Sequence, residues 1–187
     1  MTFTRILLLL TGILIIILTG CTSQRESTIV GFDYNVSENQ TDYFIVPYGS
    51  VSIPGKWEKS NYNSISGQQF FVNNDSVRIA IAFNRFDKYE FNTDGSIKGF
   101  EFVKAFYEWD SKYFVESYGL QMRLLESDSS NNFILYQIYG QIDGADFSTY
   151  FLVGDKNGNV NNLSVMTTAK WTEDKKIEFL KGLYLTD

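Results

Sequence analysis

The sequence predicts an α+β domain, an antiparallel β-sheet of about six to seven strands flanked by α-helices. Three observations carry this expectation. Short apolar-rich runs recur between residues 51 and 167, each bounded by Gly, Pro, Asn or Asp turn signals. One segment, 100–116, changes to a three- and four-residue apolar period. From Thr172 onward a capping residue precedes a second helical stripe.

The chain begins with a positive residue, Arg5, an apolar stretch from Ile6 to Leu18, and small residues before Cys21. These are the parts of a secretory signal. The stretch is at the short end of the roughly 17–25 apolar residues that span a hydrocarbon core of about 30 Å, and no basic cluster follows it. Leu18-Thr19-Gly20-Cys21 resembles the lipobox at which bacterial signal peptidase II cuts before a lipid-modified cysteine. The resemblance implies lipidation of Cys21, a leader over 1–20, and attachment to the membrane of a bacterial cell envelope through that lipid. Two acyl chains at about 0.8 kcal/mol per buried methylene hold a protein durably, where one binds reversibly. Thr22, rather than Asp, follows the cysteine, which in enteric bacteria favours the outer membrane.

Residues 21–45 read as the lipidated cysteine and a tether, in which Ile29–Val36 alternates loosely. A flexible stretch of about 24 residues sets the domain roughly 25–30 Å from the membrane. Residues 46–187 read as a single domain. Val51–Ile53 is a short strand stopped by Pro54-Gly55, with Trp57 as a core anchor. Gln69–Val72 and Val77–Phe83 form a hairpin across Asn73-Asn74-Asp75-Ser76.

In 100–116, Phe100, Val103, Phe106, Tyr107 and Phe114 make an apolar face opposite Glu101, Lys104, Glu108 and Lys112. Glu108 and Lys112 are spaced for an i,i+4 pair of about 0.3–0.5 kcal/mol. Four strands follow, Leu120–Glu126, Phe133–Ile142, Phe147–Val153 and Val160–Thr167, as an antiparallel meander. Asp143-Gly144 suits a type I′ turn, in which both central residues take positive φ. Thr172 caps the last helix, Glu173 and Asp174 complement its dipole, and Ile177, Leu180 and Leu183 form its buried stripe.

Composition removes whole classes of chemistry. The chain of 187 residues has no histidine and one cysteine. Histidine is the commonest general base near neutral pH and the commonest metal ligand. Without it, and with the sole thiol given to lipid, Ser-His-Asp and Cys-His catalysis, typical zinc sites and disulfides are unavailable. No cofactor or metal is expected. Removing residues 1–20 takes Lys plus Arg from 16 to 15 against 22 acidic residues, a net charge of −7. Such a surface argues against nucleic acid as a partner.

The order of strand with Val51-Ser-Ile-Pro54-Gly-Lys-Trp57, hairpin, helix, meander and C-terminal helix over Phe151–Leu185 resembles the PsbP-like superfamily, DcrB-like lipoproteins included. The resemblance covers roughly residues 45–185. It implies an antiparallel sheet flanked by helices and a non-catalytic binding or assembly role, without carrying over a photosystem role.

Three constellations are candidates for function. Asp155-Lys-Asn157-Gly158-Asn159 has oxygen ligands at alternate positions, but its Gly is fourth rather than sixth and no Glu stands twelfth, so a hairpin turn is the better reading than a calcium loop. Asp110 falls near the middle of the apolar helix face, where a carboxylate must find donors or shift its pKa. A tyrosine hydroxyl, a Trp N–H or a backbone amide is the favoured partner. Phe102, Trp109 and Tyr113 form a second side of the same helix, either core or a binding patch.

The expected function is therefore a tethered, non-catalytic binding or assembly module with an envelope protein as partner. An immunity protein that blocks a basic toxin through its acidic face is one alternative. A hydrolase acting on envelope polysaccharide through a carboxylate pair is another, and it needs carboxyls about 5–5.5 Å or 6.5–9.5 Å apart across a cleft. Asp143 and Asp146 bracket a tight turn, a poor place for one.

Overall fold

Two polar-looking stretches join the expected strands. The computed structural model, which describes residues 28–186, has ten strands in two antiparallel sheets and two α-helices. β1 (Ile29–Asn35), β2 (Gln40–Val46) and β3 (Gly49–Pro54) form a three-stranded sheet in that order. The larger sheet holds β4 (Trp57–Asn63), β5 (Gln68–Asn73), β6 (Arg78–Asn84), β7 (Gln121–Asp128), β8 (Phe133–Ile142), β9 (Ala145–Lys156) and β10 (Asn159–Val165). Its order is β4-β5-β6-β10-β9-β8-β7. α1 (Gly99–Tyr118) carries the chain from β6 to the far edge at β7, and the meander then returns to pair β10 with β6. α2 (Glu173–Leu185) ends the fold.

The α+β class and the four-strand meander stand as expected. The tether is corrected, because its second half is folded: Ile29–Val46 supplies two strands. Tyr43 is 2% exposed and Thr41 0% exposed. Thr41 escaped notice because its burial depends on hydrogen bonds rather than apolarity. Its Oγ1 donates to the Gly55 carbonyl (2.8 Å) and accepts from the Trp57 N–H (3.0 Å). The Trp57 indole in turn donates to the Pro54 carbonyl at 2.9 Å. These bonds fasten the small sheet to the start of the large one. Cys21 and residues 1–20, expected to be a leader, lie outside the described residues.

The large sheet has two covered faces, assigned by strand alternation. Odd positions on β8, including Phe133 and Leu135, share a core with Ile79, Ile81, Tyr43, Ile53, Leu180 and Leu183, under the small sheet and α2. Even positions, Ile134, Tyr136 and Ile138, share a second core with Phe102, Val103 and Phe106 of α1.

Local signals held at the turns and caps. Asp143 (φ 52°) and Gly144 (φ 79°) make the expected two-residue hairpin turn between Ile142 and Ala145. The Thr172 hydroxyl accepts from the Lys175 N–H at 3.3 Å. On α1 the anticipated Glu108–Lys112 pair gives way to Lys112–Glu116 at 3.9 Å and Lys104–Glu101 at 2.7 Å. All four side chains reach into solvent, where such pairs contribute little. No helix among the described residues is long and apolar enough to cross a membrane.

Candidate functional site

α1 packs against β7, β8 and β9, which leaves the β5–β6–β10 half of the same sheet face without a helix over it. β6 reads Ile79-Ala-Ile-Ala-Phe83, placing its large residues in the core beneath the small sheet and the small ones, Ala80 and Ala82, on the open face. The floor stays low there. One cross-strand row runs Tyr136, Phe151, Ser164, Ala80, Phe70 through directly paired residues. The neighbouring row contains Val153, Asn162 and Ala82.

Above this floor is a cavity of about 660 Å³. α1 contributes Phe106, Trp109, Asp110, Tyr113 and Phe114 to it, the segment Lys88–Glu90 and the β4–β5 turn line other walls, and Asn162 and Ser164 look up from β10. A mostly apolar hollow of this size with a few convergent polar groups is the usual form of a small-ligand site.

Its walls are fixed by specific bonds. Asn84 donates through Nδ2 to the Tyr89 hydroxyl (3.1 Å) and the Ser66 carbonyl (3.2 Å) and accepts from Lys88 Nζ through Oδ1 (2.9 Å). The Trp109 indole N–H donates to Glu90 Oε1 at 2.6 Å, and its ring lies 5.7 Å from Phe106 and 5.9 Å from Tyr89. Edge-to-face aromatic contacts of this kind make a stiff wall.

Asp110 accepts from the Tyr136 hydroxyl at 2.6 Å. The favoured tyrosine partner is therefore present. Burial pushes the Asp110 carboxyl up to about 6, with the Tyr136 hydrogen bond working in the opposite direction. The structure thus places Trp109, Asp110 and Tyr113 on one cavity, with Tyr113 still 51% exposed. Phe102 does not join them, which corrects its place in the patch. It is 0% exposed, with its ring 4.8 Å from Phe86 and 5.5 Å from Tyr89. A period of 3.6 fixes which residues share a side of a helix, but not that the segment 86–92 would cover that side.

Sequence reasoning missed Asn84, Asn162 and Ser164. A signal existed for the last two: β10 is central in its sheet, yet its apolar alternation is broken by Asn162 and Ser164 on one face. The Asn162 Oδ1 is buried and has no hydrogen-bond partner among the described residues.

The Asp155 loop is a hairpin turn, with Asn157 (φ 55°) and Gly158 (φ 77°) at its tip. Asp155 Oδ1 accepts from the Gly158 N–H (3.1 Å) and Oδ2 from the Gly99 N–H (2.8 Å), so its carboxylate also caps the start of α1. Asp155→Ala is expected to cost about 1–2 kcal/mol in urea unfolding, in the range of a lost cap. A change below a few tenths would remove the capping role. Among the described residues, no group of three Asp, Glu, His or Cys side chains is placed to hold a metal.

Fold and site together define an α+β protein with an aromatic-walled cavity on the half-open face of its sheet. No family model matches the chain, and no curated protein is significantly similar to it. Among solved structures, a protein of Bacteroides thetaiotaomicron VPI-5482 determined at 1.50 Å matches 72% of this chain, at 13% identity and a TM-score of 0.40. The match covers 43% of that protein, so the chain spans less than half its length.

Proposed function

We propose that this chain is a lipid-anchored bacterial envelope protein that works as a non-catalytic binding module, and that the cavity between α1 and β5–β6–β10 is where it binds. The observation that carries the binding reading is the 660 Å³ hollow itself, walled by the rings of Tyr89, Phe106, Trp109 and Phe114 with polar side chains converging on it. The lipobox-like Leu18–Cys21 supports the anchor. The PsbP-like resemblance is consistent with a binding role.

The cavity is tested with the neutral fluorescent probe N-phenyl-1-naphthylamine. Saturable binding at one probe per chain is expected, lost in Ser164→Phe, which fills the floor. Equal binding by that variant places the probe elsewhere and removes the reading. Anchoring is tested separately by labelled palmitate in cells, with incorporation expected for the natural chain and not for Cys21→Ser.

One observation favours a second reading, the polysaccharide hydrolase. Asp110 and Glu90 line the same cavity, and Asp110 has the raised pKa of a general acid. Asp143 and Asp146 do not line it. Release of reducing sugar from envelope glycan, abolished by both Asp110→Asn and Glu90→Gln, would establish that reading in place of the first.

A further inference from the structure

We propose that the cavity selects organic ammonium ligands: a flat apolar body carrying a protonated amine. This rests on the cavity being a ligand site and adds the chemistry of its occupant. Two observations lead to it.

The first is the wall. Tyr89, Phe106, Trp109, Tyr113 and Phe114 all line the hollow, and aromatic faces attract cations through their quadrupole, most strongly where water is excluded. The second is the balance of charge. The lining contains two carboxylates, Asp110 and Glu90, and one ammonium, Lys88. Lys88 Nζ already donates to Asn84 Oδ1 at 2.9 Å. The Tyr136 hydroxyl bonds one oxygen of Asp110, Oδ2, and a carboxylate has room for further donors on its other oxygen.

An ammonium brings three donors and no acceptor, so it can meet the second oxygen of Asp110 while its charge sits among the aromatic rings. A carboxylate or phosphate would face both Asp110 and Glu90, with Lys88 as the opposing charge in the lining.

The test holds the ring system constant and varies the charge. Calorimetry on the folded domain at pH 7.5 compares tryptamine, tryptophol and indole-3-propionate, which share an indole and end in an ammonium, a hydroxyl and a carboxylate. Tryptamine is expected to bind at least tenfold more tightly than tryptophol, with indole-3-propionate the weakest. In Asp110→Asn the ratio of tryptamine to tryptophol should fall to within about twofold. Ser164→Phe, which fills the floor, should weaken tryptamine and tryptophol alike, which separates lost volume from lost recognition of charge.

Equal binding of tryptamine and tryptophol to the natural chain, or preference for the carboxylate, overturns the ammonium inference and leaves the cavity reading standing. If none of the three binds at millimolar concentration while N-phenyl-1-naphthylamine does, the inference again fails alone. If no probe binds, both fail.

Discussion

Asp110→Asn is expected to stabilise the protein at pH 7.5 and to lose that advantage near pH 4, with the pH-dependent part worth about 3 kcal/mol. The sign follows from the direction of the shift. Burial raises the Asp110 carboxyl from 3.8 to about 6 in the folded chain, so between these values the folded state holds a proton that the unfolded state has released. Stability therefore falls as pH rises through the window from about 4 to 6. Above it the cost of keeping this half-buried carboxylate ionised is present, and below it the group is neutral in both states. Asparagine keeps an oxygen for the Tyr136 hydroxyl and removes the charge. The measurement is urea unfolding of both proteins at pH 4, 5, 6 and 7.5. A difference between them that does not change with pH would show that Asp110 is solvated. A carboxylate that weakens the fold at neutral pH gains its explanation from the ligand it would face.

Phe102→Ala is expected to cost about 3–5 kcal/mol, the range for deleting a buried phenyl ring. Tyr113→Ala should stay within about 0.5 kcal/mol. The two residues stand eleven positions apart on one helix side, so the sequence alone treats them as one patch. Phe102 is sealed by Phe86, Tyr89, Phe91 and Phe106. Tyr113 meets Phe114 and Tyr118 near the surface. Comparable losses at both positions would place Tyr113 in the core and close that end of the cavity.

Signals written in a few adjacent residues were legible without the fold. Asp143-Gly144 demanded positive φ and obtained it, Thr172 capped its helix, and the three- and four-residue period over 100–116 placed α1 to within about two residues. What depended on a partner distant in the chain was not legible. Thr41 is core because of Gly55 and Trp57, and β4 is a strand because Trp57–Asn63 lies against β5, although its own residues are mostly polar.

The candidate site divides in the same way. Trp109 and Tyr113 share one side of the helix by period and Asp110 stands out as a carboxylate on the neighbouring apolar face, and the sequence brought them forward for those reasons. Their cavity exists only because α1 stops short of β6, because Ala80 and Ala82 keep that half of the floor low, and because Asn162 and Ser164 arrive from β10 some fifty residues away. The sequence by itself determined the α+β class, the meander, the two helices and the Thr172 cap, because hydrogen bonds and side-chain periods within one element are local, whereas the cap of α1 comes from Asp155 across the fold. The tertiary structure decided which helix face is wall and which is core, and where a hollow remains. Those outcomes depend on volume left unfilled between elements that meet only after folding.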